Sequence, residues 1–466
     1  MLCEVSNKIY VQDASKEVQE WCSQNLIIDN PDYFKKQQMG KWTGNTPREI
    51  YLYERNGSTY QIPFGCLQTL YHILHEKCEF IPKFAPIRGF NYQSDISLYD
   101  YQKEAVMAGI SKKNGILVMP CGSGKTQCGL EIIARIGGRA LWLTHTQDLL
   151  NQSKTRAQTV FKCDKSAYGT ITGGRVNVSE GITFATVQTM ARIDLQQFKD
   201  AWDIVIVDEC QHCAGTPTKV TQFYKVISNL NARYKIGLTA TPERADGLER
   251  SMFALLGGII HTVDKSAVAH TTCPVEVEVI TTGYIPDCDV ILAGDGTINY
   301  SALVDDLTHN EERFDVVLSA IAEATARGGT MVLANRVEYL QKLCKTFNDG
   351  QFGKGLCLST MGTSKKAKEE RKQALKALND GELDCIFATY QLAKEGLDVP
   401  QLRYVIFATP EKDKTTIIQS AGRIARKADG KIIGRVIDFD DDFGMFKGWL
   451  KTRKSYYKKL DYHILT

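Results

Sequence analysis

Three features of the 466-residue sequence predict an α/β protein with two tandem parallel-sheet lobes behind a small α+β domain. Short β-branched runs alternate with helical stretches twice, over residues 95–265 and again over 300–446. A hairpin signal of a different rhythm lies ahead of both, and turns rich in glycine or acid follow several of the strands. Strands separated by helices pair in parallel through crossovers. The length suits two ordinary domains plus something smaller.

Residues 1–94 make up the small accessory domain. Tyr51–Tyr53 and Thr59–Ile62 flank Asn56-Gly57, a strong two-residue hairpin signal, and Cys66–His75 then reads as helix. In the first lobe the strands are Gly115–Met119, Arg139–Thr144, Ile182–Ala185, Asp203–Val207 and Lys235–Thr239, with helices at Gln127–Ile136 and Gln147–Val160. Residues 266–299 show little pattern and read as a linker. The rhythm returns at Thr330–Ala334, Gly355–Ser359, Asp384–Thr389, Tyr404–Ala408 and Arg435–Phe439. A basic, aromatic segment, 447–466, closes the chain.

Composition narrows the class. With 43% hydrophobic residues, 24% charged residues and 12 prolines, the chain is neither disordered nor collagenous. A net charge of +3 leaves any polyanion to be held by local patches. Apolar runs such as Ile204–Val207 fall far short of the roughly 20 residues a membrane helix needs. Met1–Tyr10 lacks the apolar run of a signal peptide, so a cytoplasmic location is expected. The 14 cysteines are scattered without a paired framework and read as reduced thiols. Cys210 and Cys213 have the close spacing of zinc ligands, but no second close pair completes a site.

Three motifs carry chemistry. Pro120-Cys-Gly122-Ser123-Gly124-Lys125-Thr126 follows a strand and opens a helix, as a phosphate-binding loop requires. Backbone amides and the helix N-terminus can face phosphate oxygens, with Lys125 on the β and γ phosphates and the Thr126 hydroxyl on Mg2+. The match is incomplete, because Met119 stands where the common pattern has its first glycine. Asp208-Glu209 follows the apolar strand directly, at the carboxyl edge where α/β sheets bind ligands. Asp208 can hold Mg2+ through water and Glu209 can orient or deprotonate an attacking water. Third, Gln419-Ser-Ala-Gly-Arg423-Ile-Ala-Arg426 places two arginines three apart, so that on a helix both point one way, toward the phosphates as arginine fingers.

In order along the chain, Gln102, Gly122–Thr126, Thr186–Thr189, Asp208–His212, Gly237–Pro242, Gly396–Asp398 and Gln419–Arg426 resemble the motif series of superfamily 2 helicases. Thr239–Leu248 and Lys451–Leu460 are similar to the compact viral and tailed-phage DNA helicases, the branch-migration enzymes among them, and more distantly to excision-repair helicases. The resemblance implies two RecA-like lobes, ATP and Mg2+ as cofactors, and host cytoplasm if the gene is viral. It implies adenine contact by Gln102, γ-phosphate and strand contact by Glu395, Gly396 and Asp398, and coupling through Thr239 and Thr241. Thr144, His145, Gly173, Gly174, Gln188, Thr189, Asn335, Arg336, Thr389 and Gln391 fall where the family touches the nucleic-acid backbone, which carries little sequence information. Gln211 stands where most relatives place histidine and His212 follows, so either can couple hydrolysis to nucleic acid.

The implied partner is DNA, duplex, forked or branched. An RNA helicase or transcript-release factor and a restriction-type translocase subunit are the alternatives. Residues 1–94 are then a structural cap on the first lobe or a DNA-binding module. Lys447, Lys451, Arg453, Lys454, Lys458 and Lys459, interleaved with Trp449, Tyr456 and Tyr457, suit phosphate attraction with stacking, or else an amphipathic helix packed on the second lobe.

Overall fold

The computed structural model describes residues 2–120, 122–213, 215, 221–243, 248–264, 266–292, 297–362, 364–394 and 399–465. The chain divides into two compact units, Met1–Ala267 and Val268–Thr466. The first unit begins with strands β1 (Leu2–Val5), β2 (Lys8–Gln12), β3 (Ile27–Asp29), β4 (Glu49–Tyr51), β5 (Glu54–Asn56), β6 (Thr59–Pro63) and β7 (Glu79–Pro82). Five of them form a mixed sheet, β5-β6-β2-β1-β7, while β3 and β4 pair separately. Asn56 pairs with Thr59 across a two-residue turn, with Gly57 at φ +61°, so the short register makes Glu54–Asn56 the first arm of the hairpin. Tyr51, expected in that arm, lies opposite Ile27 instead.

This small domain is fused to the lobe behind it. Leu248 and Ala254 of the lobe share one apolar cluster with Cys3, Ile9, Leu52 and Leu70. A Cβ on Gly65 would meet Gly257 N and Phe253 O at 2.4 Å, so only glycine permits that approach. Gln68 Nε2 donates to Lys112 O (2.7 Å) and Asn114 O (2.9 Å), and Asn7 Nδ2 to Ser228 O (2.7 Å). The buried Lys235 ammonium lies 4.5 Å over the Phe64 ring and donates to Ile227 O at 3.2 Å; burial pulls it down to about 7.

The lobe itself is a sheet of eight strands: β8 (Asn114–Val118), β9 (Ala140–Thr144), β10 (Tyr168–Thr172), β11 (Arg175–Asn177), β12 (Ile182–Thr186), β13 (Ile204–Asp208), β14 (Tyr234–Thr239) and β15 (Ile259–Thr262). Their order is β11-β10-β12-β9-β13-β14-β8-β15, parallel except for the β10–β11 hairpin. Every residue of β9, β12 and β13 is buried, the signature of strands covered on both faces.

The second unit repeats the plan with β16 (Val275–Thr281), β17 (Thr330–Ala334), β18 (Gly355–Cys357), β19 (Cys385–Thr389), β20 (Tyr404–Phe407), β21 (Gly434–Asp440) and β22 (His463–Ile464), ordered β18-β19-β17-β20-β21-β16-β22. Residues 266–299 are therefore more than a linker, since β16 pairs with β21 from Val275 to Thr281. Its alternating sequence fits a strand with one buried side: Val275 and Val277 are in the core, while Glu276 bonds Arg435 at 2.5 Å.

The closing segment is a helix, Gly444–Lys459, that buries Phe446, Leu450, Arg453 and Tyr457 against this sheet. Arg453 is 1% exposed and grips both Asp438 oxygens (2.7 and 2.8 Å), with the Tyr457 hydroxyl donating to the same carboxylate at 2.9 Å. Arg453 and Tyr457 are thus core residues, not phosphate or base contacts. Removing one partner of a buried ion pair strands the other charge. Arg453→Ala should cost about 3–5 kcal/mol of stability in urea unfolding, while Arg453→Met with Asp438→Leu recovers most of it. Unchanged stability with weakened polyanion binding would reverse the assignment.

Candidate nucleotide and nucleic-acid site

The loop after β8 folds as its glycines dictate. Gly122 and Gly124 have φ of +80° and +81°, and Gly124 caps the helix Lys125–Ile136. A Cβ on Gly124 would stand 2.5 Å from Gln102 Nε2. Gln102 is buried: its Oε1 accepts from Tyr99 N (3.0 Å) and its Nε2 donates to Ser123 O (2.8 Å), so it clamps the helix Asp100–Lys112 to the loop. Tyr101, which sequence reasoning passed over, donates to the same carbonyl at 3.2 Å. Ser123 Oγ is buried with no hydrogen-bond partner among the described residues. Lys125 and Thr126 are half-buried, and Lys125 Nζ lies 3.4 Å from Met119 O.

Two strands away, β13 delivers Asp208 to the same edge. Burial first, then the neighbouring Glu209 carboxylate, push the Asp208 carboxyl up, and Lys125 pulls it back. Glu209 itself sits at φ +51°, a left-handed conformation that costs a non-glycine residue roughly 1–2 kcal/mol. That turn throws the next residues to opposite sides. Gln211 Nε2 donates to Glu209 Oε2 (2.8 Å), and its Oε1 accepts from the Thr239 hydroxyl at the end of β14 (2.7 Å). Thr239 Oγ1 also accepts from Thr241 N at 3.0 Å. His212 goes the other way, its ring 4.2 Å from that of His145 at the end of β9. Burial holds His145 below the usual imidazole range, with Glu209 opposing.

The backbone-contact candidates collect on that second side. Thr144 ends β9 opposite Thr186, which ends β12. Thr186 and Thr189 hydroxyls lie 3.0 Å apart, and Gln188 Nε2 donates to His145 O at 2.7 Å. Gly173 and Gly174 turn the exposed β10–β11 hairpin at the same edge, with φ of +58° and +78°. Cys210 and Cys213 are buried in the apolar core beneath.

In the second unit, Asn335 and Thr389 follow β17 and β19 at one edge, where Ala334 pairs with Thr389. Asn335 N donates to Thr409 Oγ1 (2.9 Å), Arg336 pairs with Asp305 (2.9 Å), and Gln391 is exposed on the short helix Tyr390–Lys394. Gln419 lies on the helix Lys414–Gly422, which stops before the arginines. Arg423 is its C-cap and donates to Ala393 O, whereas Arg426 pairs with Thr272 in an isolated bridge. The two do not share a helix face, because Cys273 N captures Ala425 O (2.8 Å) and draws the chain off the helical path. Glu395, Gly396 and Asp398 lie outside the described residues.

Two family models match the chain: the type III restriction enzyme res subunit over residues 95–244 and the helicase conserved C-terminal domain over 312–428. A protein of Acanthamoeba polyphaga mimivirus, named as an ATP-dependent RNA helicase, is 27% identical over 394 residues, covering 81% of this chain and 70% of its own. A DNA 3'-5' translocase of Sulfurisphaera tokodaii is 28% identical over 368 residues, covering 72% of this chain and 80% of its own. Among solved structures, a type ISP restriction-modification enzyme bound to DNA superposes with a TM-score of 0.57 at 17% identity, over 83% of this chain and 32% of that one. A phosphate-loop lobe and a helicase C-terminal lobe in tandem place this chain among the superfamily 2 helicases, ATP-hydrolysing enzymes that act on nucleic acid.

Proposed function

We propose that the chain is a DNA helicase or translocase that uses ATP to remodel forked or branched DNA. The observation that carries this reading is the turn after β13, where Gln211 bonds both Glu209 and Thr239 while His212 packs on His145. One short turn thus touches the phosphate-loop side of the sheet edge and the side where the backbone-contact candidates gather. Of the two candidates for coupling, Gln211 is the one bonded to the acid that would activate water. His212 belongs with the strand contacts.

In this reading Gly122–Thr126 cradle the phosphates of ATP, Lys125 neutralises the terminal ones, and Glu209 holds the attacking water. Gln102 acts through the loop it clamps, orienting it for the nucleotide. Mg2+ supplies charge neutralisation at the phosphate oxygens. The Thr126 hydroxyl and the buried Asp208 carboxylate suit it, being hard oxygen donors, one of them a carboxylate that burial alone would disfavour as an anion. Arg423 and Arg426 complete the transition state from the second lobe, with Gly396 and Asp398 beside them and Gln419 on the same segment. Thr144, His145, Gly173, Gly174, Gln188, Thr189, Asn335, Arg336, Thr389 and Gln391 hold the backbone of the DNA. The archaeal DNA translocase supports DNA as substrate. An RNA substrate is the second reading, favoured by the mimivirus relative, whose name says RNA.

Lys125→Ala should abolish hydrolysis with the fold intact, since the lysine lies in no core. Glu209→Gln should bind ATP and stall, because only the group that activates water is lost. Turnover by Glu209→Gln within a few-fold of wild type would remove Glu209 from that role.

Comparing ATPase stimulation by forked DNA, duplex, single-stranded DNA and RNA discriminates the substrates, and forks should stimulate most. Greater stimulation by RNA would install the second reading. Arg426→Ala should lose about three orders of magnitude of stimulated hydrolysis while retaining nucleotide binding. Equal stimulation in wild type and variant would mean that the second lobe does not complete the site.

A further inference from the structure

The segment between β3 and β4 is structured without contributing to a core. Its helix, Pro31–Gln38, has no buried residue, and beyond it Met39 is 58% and Trp42 86% exposed. An indole left in water forgoes the stabilisation of burial, about 25 cal/mol for each Å² of apolar surface. The loop that carries it is nonetheless tied at several points. Asn30 N donates to Arg48 O (2.9 Å) and Asn30 Nδ2 to Pro47 O (2.7 Å). Lys41 N donates to Lys36 O (2.9 Å), Thr46 N to Thr43 O (2.9 Å), and Lys36 Nζ to Thr46 Oγ1 (2.6 Å).

Trp42 is seated as well as exposed. Gly44, at φ +47°, lies so close beneath it that a Cβ there would come within 2.5–2.9 Å of three atoms of the indole. The ring's orientation is therefore set by the turn, and little side-chain entropy remains to be lost when something stacks on it.

The surroundings are cationic. From Pro31 to Arg48 the charged residues are Lys35, Lys36, Lys41 and Arg48 against the single carboxylate Asp32. Lys35, Lys41 and Arg48 are exposed, and the Arg48 guanidinium lies 5.9 Å from the Phe34 ring. A protein-docking anchor would want an apolar surround free of charge. An oriented aromatic face ringed by lysine and arginine instead matches a base with its phosphates.

We propose that Trp42, with Lys35, Lys41 and Arg48, is a stacking platform for an unpaired base of the nucleic-acid strand, outside the motif residues of the motor. The proposal rests on the reading that the chain works on nucleic acid, and assigns its small domain a strand contact. Because that domain shares a core with the first lobe, the platform travels rigidly with that lobe.

The test uses the full chain with Trp42→Ala, Trp42→Phe and Lys35→Ala/Lys41→Ala, titrated by anisotropy against labelled oligothymidylate of about 20 nucleotides and against blunt duplex. Trp42→Ala should weaken binding of the oligothymidylate by roughly 5- to 100-fold, with duplex affinity unchanged and Trp42→Phe close to wild type. The double lysine variant should reduce the slope of log affinity against log salt by about one. ATPase in the absence of nucleic acid should be the same in all four proteins, which separates the platform from the motor. If wild type and Trp42→Ala bind the oligothymidylate equally well, the platform is refuted while the motor reading stands. If the wild type binds no nucleic acid, both fall. Self-association that Trp42→Ala abolishes, with oligothymidylate affinity intact, would assign the ring to a protein contact and overturn the proposal.

Discussion

A carboxylate at the end of a strand buried on both faces has few ways to remain charged. Asp208 has the Glu209 backbone amide at 3.1 Å and the influence of Lys125, while burial and the Glu209 carboxylate work against it. The turn that follows cannot continue the strand without driving Glu209 into the same environment, and the left-handed backbone at Glu209 turns it away. Strain of this kind persists only where the surroundings over-determine it. Here the two hydrogen bonds of Gln211 do so, and they also fix where His212 goes. The arrangement of residues along the first lobe's edge follows from how this one acid is accommodated.

That constraint needs a rigid frame. β13 lies between β9 and β14, so any movement of Asp208 would have to shift three paired strands together. The small domain stiffens the far end of the lobe through Gly65, Gln68 and the shared apolar cluster. In the second unit, the buried pairs Arg313–Asp441 and Arg453–Asp438 bracket β21 in the same spirit: each is costly to break and each holds a helix to the sheet.

Much of this was legible in the sequence because fully buried parallel strands read as continuous apolar runs. Ile204–Val207 and Thr330–Ala334 were recognisable for that reason, as were the turns that follow them. What escaped depends on one exposed side or on tertiary capture. β16 alternates Val with Glu and shows only half of the signal, and the Gly173-Gly174 hairpin was visible as residues but not as strands. The spacing of Arg423 and Arg426 implied one helix face, yet the hydrogen bond from Cys273 to Ala425 ends that helix first. Arg453 looked like its lysine neighbours until Asp438, remote in pattern, claimed it. The choice between Gln211 and His212 could not be read at all, since it turns on the sign of one backbone angle.

If Gln211 carries the coupling, nucleotide and nucleic acid must change each other's affinity by the same factor. The direct measurement is a thermodynamic box: fork affinity with and without a non-hydrolysable ATP analogue, and analogue affinity with and without fork, in wild type and Gln211→Ala. The wild type should give two equal factors, in the range of about 5 to 150, and Gln211→Ala should bring both toward one while each ligand still binds alone. A wild-type factor of one, or a Gln211→Ala protein with coupling intact, would contradict the account.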